Sequence, residues 1–397
     1  MRTADSSHIL DVVDYLKKVL TFSGTWPVRK PSWSHRMRKT ISWIFDISIQ
    51  IFLFAEAYKN FTHREYKELT EMLSIMLSFN SWLIKRTIFE LNYGALLSLL
   101  EKLDDPVLHD FPKHCDGYIK RANRLTMICA VSFQFFAANM IPFSLFKPIF
   151  NAGLAMHFSV VELGHWYYPV HIYECLAMAN TCYNNSTMDC LSMALVSVGS
   201  TQLEILKDKI TYSRQWAGLT TEEIDSGIVN TGPDMDPILD GIILEHLNNC
   251  VKHHLKILDL LDNIEKILTY LILSQFFTSV LAFCNTWFQL ALEDQLVKIL
   301  FLVTYATALL IQLGLYCLFG DRVIEKSQEL CEACYFADWY KSNKAVNKTL
   351  MLIMERAKRP SVITAGKLSV CSLVTYTGLM RMSYSYFALM NRLYGST

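Results

Sequence analysis

The sequence predicts an all-α membrane protein with seven transmembrane helices, and three observations predict it. Of its 397 residues, 52% are hydrophobic and only 19% are charged, whereas a soluble domain carries about 25% charged residues. A bilayer core requires ~20 mostly apolar residues per helix, and several stretches approach that length. Basic residues are abundant in every second segment between these stretches, which is the pattern of loops on opposite sides of a membrane.

The first predicted helix lies on the membrane surface and does not cross it. Within Ser7–Leu20 the apolar residues recur at helical spacing, with Lys17 and Lys18 on the other side. This pattern is typical of an amphipathic interfacial helix. No signal peptide is expected, because Asp5 and Asp11 stand where its apolar region would be.

Seven candidate spans follow along the chain. The second is amphipathic, and the fourth stretch is longer than one crossing requires. Two polar stretches, Lys207–Lys266 and Asp321–Lys358, are predicted to hold helices that continue beyond the membrane. In chain order the candidate spans are Ile41–Ala57, Leu69–Ile84, Leu125–Phe150, one span inside Trp166–Val198, Ile267–Leu292, Val297–Leu318 and Leu368–Leu393.

The positions of the basic residues predict the orientation. The segment before the first span and the second, fourth and sixth loops are rich in Lys and Arg, with Lys85 and Arg86 counted in the second loop. The third and fifth loops hold only Lys147 and Lys298. Cytoplasmic loops collect basic residues, so the N-terminus is predicted to be cytoplasmic and the C-terminus extracellular, the reverse of a G-protein-coupled receptor. The sequon that starts at Asn60 then lies outside and is a predicted glycosylation site.

Several other classes of function find no support in the sequence. The formal net charge is zero, so no nucleic-acid partner is expected. The Cys331 and Cys334 pair has no second ligand pair at metal spacing, so neither a metal nor another cofactor is expected. No phosphate loop, nucleophile elbow or zinc-protease motif indicates an enzyme. No internal repeat indicates a transporter.

Two stretches in the last third of the chain carry a resemblance to a known family. The first, Ala337–Pro360, reads ADWYKSNKAVNKTLMLIMERAKRP, and the second, Ile363–Gly395, reads ITAGKLSVCSLVTYTGLMRMSYSYFALMNRLYG. Together they resemble the cytoplasmic helix and the final helix of the insect odorant receptors. The chain looks too short for the co-receptor of that family, and Thr375-Tyr376 lacks the following Gln-Phe of gustatory receptors. It therefore resembles a ligand-specific subunit.

The resemblance implies an odorant-gated non-selective cation channel subunit in the plasma membrane of olfactory sensory neurons. Its partners would be a co-receptor subunit in a heterotetramer, membrane lipid and a small volatile organic ligand. Residues 1–320 would form a six-helix bundle with the pocket in its outer half and a cytoplasmic extension at about 205–265. Residues 321–360 would form a cytoplasmic anchor, and residues 361–397 the pore-lining last helix. A receptor of the related gustatory type and a signalling receptor without a pore are the alternatives.

An odorant pocket should be apolar and aromatic with one or two polar groups. In the family it lies among the second to sixth spans, and the residues at the matching depth on each span are the candidates. Tyr173 and Asn180 could donate to a carbonyl or ester oxygen, while plain packing explains each apolar residue taken singly. The predicted pocket residues are Met76, Phe79, Phe136, Met140, Tyr173, Met178, Asn180, Phe277, Phe283 and Tyr305.

The pore gate is predicted near the end of the last helix. Leu389 and Leu393 are four residues apart and share a helix face, and apolar side chains in a narrow pore can gate by dewetting. Ser385 and Met382 continue this face inward. Packing against neighbouring helices is the alternative for the two leucines. Arg392 lies beside them, where it can snorkel to the headgroups or tune conductance.

Overall fold

The computed structural model describes residues 11–28, 30–64, 66–111, 115–146, 167–216 and 237–394. Helices dominate these ranges, with one 3-10 turn at Trp339–Lys341 and one small hairpin of β1 and β2. In chain order the elements are α1 Asp11–Phe22, α2 Trp33–His63, α3 Tyr66–Leu91, α4 Tyr93–Leu103, α5 Pro106–His109, α6 Asp116–Phe146, α7 Tyr167–Thr211, α8 Ser213–Trp216, α9 Pro237–Leu292, α10 Leu296–Phe336, α11 Lys344–Ala357, β1 Thr364–Ala365, β2 Ser369–Val370 and α12 Leu373–Tyr394.

Seven long helices correspond to the seven predicted spans: α2, α3, α6, α7, α9, α10 and α12. Among the described residues, three helices are long and apolar enough on their own to cross a membrane, namely those within Trp33–His63, Leu239–Ala291 and Lys298–Lys341. Helices α3 and α7 bury polar side chains inside the bundle. Polar residues are tolerated in a membrane helix when they face the bundle interior and are paired.

Helix α7 is the centre of the bundle. It packs against α1, α2, α6, α9 and α10, and nearly every residue from Thr187 to Leu203 is buried. A helix that is buried on all sides must be apolar or must pair its polar groups. The chain satisfies this condition with Leu191 and Leu203, fully buried, and with hydroxyls such as that of Thr201, which donates to the Ser197 carbonyl at 2.8 Å.

Helices α9 and α10 are longer than a bilayer is thick. The 56 residues of α9 extend for about 84 Å at about 1.5 Å per residue, against a hydrocarbon core of about 30 Å. The predicted amphipathic segments are therefore continuous with the spans next to them. Leu247 and Ile257 on α9 and Val323 and Leu330 on α10 are fully buried, so the parts beyond the spans pack together as a helical extension.

The first helix differs from its predicted environment. Helix α1 has the expected amphipathic pattern, but Val12, Val13, Leu16 and Leu20 are at most 2% exposed. They pack against α7 and α6. The apolar face of α1 is therefore covered by protein and not by lipid.

The beginning of the last helix was predicted wrongly. The sequence predicts that it begins at Leu368, whereas α12 begins at Leu373 and is preceded by an antiparallel hairpin that pairs Thr364 with Val370. The turn consists of Gly366, Lys367 and Leu368, and the first two of these residues have φ angles of 61° and 58°. Two consecutive left-handed residues cannot continue an α-helix and instead suit a tight hairpin turn.

Lys85 and Arg86 were also assigned wrongly. Both lie inside α3, both are completely buried, and both form ion pairs with carboxylates of other helices. They do not belong to a loop and carry no information about orientation. The second predicted loop keeps five other basic residues, Lys102, Lys113, Lys120, Arg121 and Arg124, so the predicted orientation of the termini stays a prediction.

Candidate functional site

Two apolar clusters contain most of the predicted pocket residues that the structure describes. The first cluster lies between α2, α3 and α7. Phe79 is buried there, with Met76 and Met178 packed against it, and its fully buried members are Ile49, Leu53, Met72, Phe79 and Ala177. The aromatic, thioether and branched groups of this cluster come from three different helices, as an odorant pocket requires.

The second cluster lies between α9 and α10 and touches the last helix. Phe283 is buried at its centre, with Tyr305 and Met380 packed against it. The Tyr305 hydroxyl lies 2.7 Å from Ser78 Oγ and donates to the Ser74 carbonyl at 3.1 Å. A polar group thus stands at the edge of an apolar surface, which can orient a ligand.

Helix α3 separates the two clusters. Phe79 belongs to the first cluster, whereas Leu77, two residues earlier, packs against the second. Two residues turn a helix by about 200°, so these side chains point to opposite sides. A change at one cluster can therefore reach the other through a single helix.

Two predicted polar residues lie on the side of the first cluster. The Tyr173 hydroxyl is hydrogen-bonded to Ser48 Oγ, and its ring centroid lies 5.4 Å from that of Phe45. Asn180 Nδ2 donates to Ser42 Oγ at 3.3 Å. Asn180 also accepts a hydrogen bond from Asn184. Both residues already have protein partners, so a ligand must replace one of these bonds.

Some predicted residues are not brought to either cluster. Phe277 is 65% exposed and points away from the bundle. Asn60 is 2% exposed, and its Nδ2 donates to Met72 Sδ at 3.4 Å. Glycan addition needs that nitrogen to be accessible, so this placement argues against glycosylation at Asn60. Phe136 and Met140 lie on α6, with side chains outside the described part of the structure.

A small cleft lies elsewhere, between α1, α6 and α7. Its lining includes Val12, Thr126, Ala194, Ser197 and Thr201. None of the predicted pocket residues is among its lining residues, and small hydroxyl-bearing side chains form much of the wall. The cleft therefore does not coincide with the predicted pocket.

The last helix has one packed face and one open face. The Tyr376 ring faces Gly314, Cys284 Sγ lies 4.0 Å from the Ser383 carbonyl, and the rings of Phe387 and Trp287 are 6.0 Å apart. Opposite them, the predicted pore residues Met382 and Ser385 are exposed in the single chain. The side chains of the predicted gate residues Leu389 and Leu393 lie outside the described part of α12.

The family of the chain follows from sequence comparison. The family model of the 7tm odorant receptors matches residues 67–384. The chain belongs to this odorant receptor family. The family relatives are odorant receptors and not enzymes, in agreement with the absence of enzyme motifs.

Curated odorant receptors are similar over large parts of the chain. Odorant receptor Or2 of Anopheles gambiae is 26% identical over 310 residues, which cover 78% of this chain and 77% of that protein. Odorant receptor 46a, isoform A, of Drosophila melanogaster is 26% identical over 228 residues, 57% of this chain and 55% of that protein. These relatives confirm the resemblance noted in the last third of the sequence.

Solved structures confirm the seven-helix fold of this odorant receptor. The insect olfactory receptor OR5 from Machilis hrabei in complex with eugenol superposes with a TM-score of 0.78 at 17% identity, covering 97% of this chain and 99% of that chain. The structure of OR5 described without a ligand gives a TM-score of 0.77 at 18% identity, covering 96% and 97%.

The sequence alone does not reveal a buried ion network in this odorant receptor. Arg86 pairs with Asp46, which also accepts hydrogen bonds from Trp82 Nε1 at 2.8 Å and Thr181 Oγ1 at 2.9 Å. Lys85 pairs with Asp189 at 2.6 Å. Four ionisable groups in apolar stretches were the available signal, because such groups in a membrane segment mark paired or functional sites.

Proposed function

We propose that this odorant receptor binds a small, volatile, mostly apolar molecule in the outer half of its helix bundle and responds by opening a non-selective cation pore. The pore would form in a heterotetramer with a co-receptor subunit, in the plasma membrane of olfactory sensory neurons. Family membership supports the odorant-receptor part of this proposal. The two clusters and the open face of α12 support the rest.

The main observation that supports the proposal is the contact of Met380 with the second cluster. Met380 is on α12, the helix proposed to line the pore, and it packs against the cluster built around Phe283, with Tyr305 on the same cluster. A ligand at Phe283 would therefore alter the surface on which the pore helix rests. Ligand binding favours an open arrangement only through better binding to that arrangement, and this contact supplies a route for such a difference.

The chemistry of the clusters supports an apolar ligand. Phenyl, thioether and aliphatic groups from five helices line them, with the Tyr305 and Tyr173 hydroxyls as orienting groups. A micromolar ligand requires about −8 kcal/mol, which ~10 heavy atoms can supply within the ceiling on ligand efficiency. The relative solved with eugenol supports the same class of ligand.

The division of the chain is also part of the proposal. Residues 1–320 would hold the bundle and pocket, with the extension at about 205–265 in the cytoplasm, residues 321–360 would anchor the subunits to one another, and residues 361–397 would hold the pore helix. Large apolar side chains at the end of α10, in the following 3-10 turn and on α11 are exposed in the single chain, as a contact between subunits would need: Tyr335, Phe336, Trp339, Tyr340, Met351 and Leu352.

Current recording with a panel of volatiles tests the proposal. The chain is expressed with a co-receptor subunit, and an odorant that evokes current is then applied to Phe283→Ala. We expect the effective concentration to rise by about 5- to 150-fold, because losing apolar contacts in a pocket costs roughly 1–3 kcal/mol. Phe277→Ala is the matched control and should change little, since this ring points away from the bundle. Odour-evoked current that disappears when G proteins are inhibited would favour a signalling receptor without a pore.

A further inference from the structure

An arginine lies on the open face of the last helix. Arg381 directly follows Met380, which packs on the second cluster, and precedes the buried Ser383 by two residues. At about 100° per residue, Arg381 points about 100° away from Met380 and about 160° away from Ser383. In agreement with this geometry, Arg381 is exposed in the single chain.

Arg381 lies well inside the membrane-spanning part of α12. The helix has 22 residues and begins at Leu373, so Arg381 stands about 12 Å along a helix of about 33 Å. Its neighbour Met380 touches a cluster that contains Phe283 and Leu309, which lie within the predicted spans of α9 and α10. A charge at this depth is strongly disfavoured against lipid.

In the part of the chain that the structure describes, the Arg381 guanidinium has no hydrogen-bond or ion-pair partner, although the Arg381 carbonyl accepts a hydrogen bond from Ser385 Oγ at 2.9 Å. Asp46 and Asp189, buried in the first and fourth spans, are already paired with Arg86 and Lys85 and are inaccessible. A neighbouring copy could therefore not offer either of them. Membrane arginines that are not paired face a water-filled cavity.

We propose that Arg381 faces the water-filled pore and places a positive charge in the cation pathway. This charge lowers the conductance and reduces the permeability of divalent cations more than that of monovalent cations. This inference rests on the proposed channel function. Two small residues flank Arg381 on the same face, Gly378 and Ser385, and a Cβ at Gly378 would meet nothing within 4 Å. The side chain thus has room to extend into water.

Elementary electrostatics sets the size of the effect. A unit charge about 6 Å from a monovalent cation in water changes the local cation concentration by about threefold, and for a divalent cation by about tenfold. Mobile ions screen part of this repulsion at physiological salt. Neutralising Arg381 should therefore raise monovalent conductance about two- to threefold and should raise relative Ca²⁺ permeability more.

Unitary currents in excised patches test the inference, with the full chain co-expressed with a co-receptor subunit. We expect Arg381→Gln to raise conductance and relative Ca²⁺ permeability as above, and Arg381→Lys to keep both near the wild-type values. Lys348→Gln, which neutralises an exposed cation on α11, is the matched control and should change neither.

Two results would overturn the inference. Arg381→Gln channels with wild-type conductance and permeability would remove Arg381 from the pathway while leaving the channel function intact. If Arg381→Gln yields no current, Ser385→Cys replaces it, and a positively charged thiol reagent must then reduce the current of this variant and not that of the unmodified chain. An unreactive Ser385→Cys channel would equally refute the pore-facing assignment. Wild-type chains that give no odour-evoked current would instead reject the proposed function, and the inference with it.

Discussion

Lys85 on α3 and Asp189 on α7 form an ion pair with Nζ 2.6 Å from Oδ1, and neither side chain is exposed. Asp189 also accepts hydrogen bonds from the Tyr316 hydroxyl at 2.6 Å and from Gln312. Buried charges are stable only when they are paired and hydrogen-bonded. This network therefore joins α3, α7 and α10 at one point.

Replacing Asp189 with Asn should destabilise the receptor strongly. The substitution keeps the shape of the side chain but leaves the Lys85 ammonium buried without a counter-charge, which costs about 3–5 kcal/mol. We expect a large fall in surface expression and in the melting temperature of the detergent-solubilised protein.

The double variant Lys85→Met with Asp189→Leu separates charge from packing. It should recover most of the lost stability, since apolar groups of similar volume can replace a buried pair. Asp262→Asn is a control that breaks the exposed Lys266–Asp262 pair and should leave the melting temperature unchanged. An Asp189→Asn protein as stable as the wild type would show that Lys85 is not held as a buried charge.

The helices were predictable from the sequence because their signals are local. Hydrophobic length indicated the spans, and amphipathic spacing indicated α1 and the extensions of α9 and α10. The partners of Lys85 and Arg86 were not predictable. Asp189 is 104 residues from Lys85, and Asp46 is 40 residues from Arg86, so only the packing of the helices reveals that these cations are buried.

The residue types of the pocket could be predicted from the sequence, but the directions in which their side chains point could not. Phe277 and Phe283 are both aromatic residues in the same apolar stretch of α9, yet Phe277 is 65% exposed and Phe283 is 1% exposed. When a helix is apolar on all sides, its hydropathy does not show which side packs against the neighbouring helices. The hairpin before α12 was missed for a related reason, because Leu368 and Val370 look like the apolar beginning of a span.

Gly320→Ala should disrupt the connection into the last helix. A Cβ at Gly320 would lie 2.4 Å from the Cys371 carbonyl oxygen and 2.6 Å from Cys371 Cβ. The clash is with backbone just before α12, so α10 and the hairpin must separate, at a cost of about 1–3 kcal/mol. We expect a lower melting temperature and altered gating in current recordings.

Gly241→Ala is the matched control, because a Cβ there meets nothing within 4 Å and the residue lies inside α9. Alanine is the better helix former by about 1 kcal/mol, so this variant should be at least as stable as the wild type. Equal stability of Gly320→Ala and Gly241→Ala would contradict the close approach of α10 to Cys371.

Leu389→Ala should raise basal current if this residue forms the proposed gate. A smaller side chain widens the constriction and lets water persist in it, so a dewetted gate would leak. The measurement is current without odorant, compared with the wild type at equal surface expression. Unchanged gating in the double variant Leu389→Ala with Leu393→Ala would remove the gate assignment, and Ile51→Ala, an exposed position on α2, serves as control.

Mild acid should destabilise the helical extension through His253 and His254. Both lie on α9 before its membrane span, at 1% and 5% exposure. Burial is the main cause that lowers the pKa of His253 to about 3 and that of His254 to about 4. The His253 Nε2–H donates to Gln202 Oε1 at 2.8 Å, while Nδ1 has no hydrogen-bond partner among the described residues. A proton added to Nδ1 would therefore be buried and unsatisfied.

The sign of the pH effect follows from these pKa values. The folded protein keeps both imidazoles neutral, whereas the unfolded chain protonates them near pH 6.5, so stability is complete above pH 6.5 and is lost as the pH falls towards the folded-state values. From pH 7 to pH 5 each histidine should cost about 2 kcal/mol. Thermal unfolding of the solubilised protein across this range should show a smaller slope for His253→Gln than for the wild type. The control is His63→Gln, at the exposed end of α2, which should keep the wild-type slope of stability against pH. An equal slope in all three proteins would mean that His253 takes up its proton without unfolding.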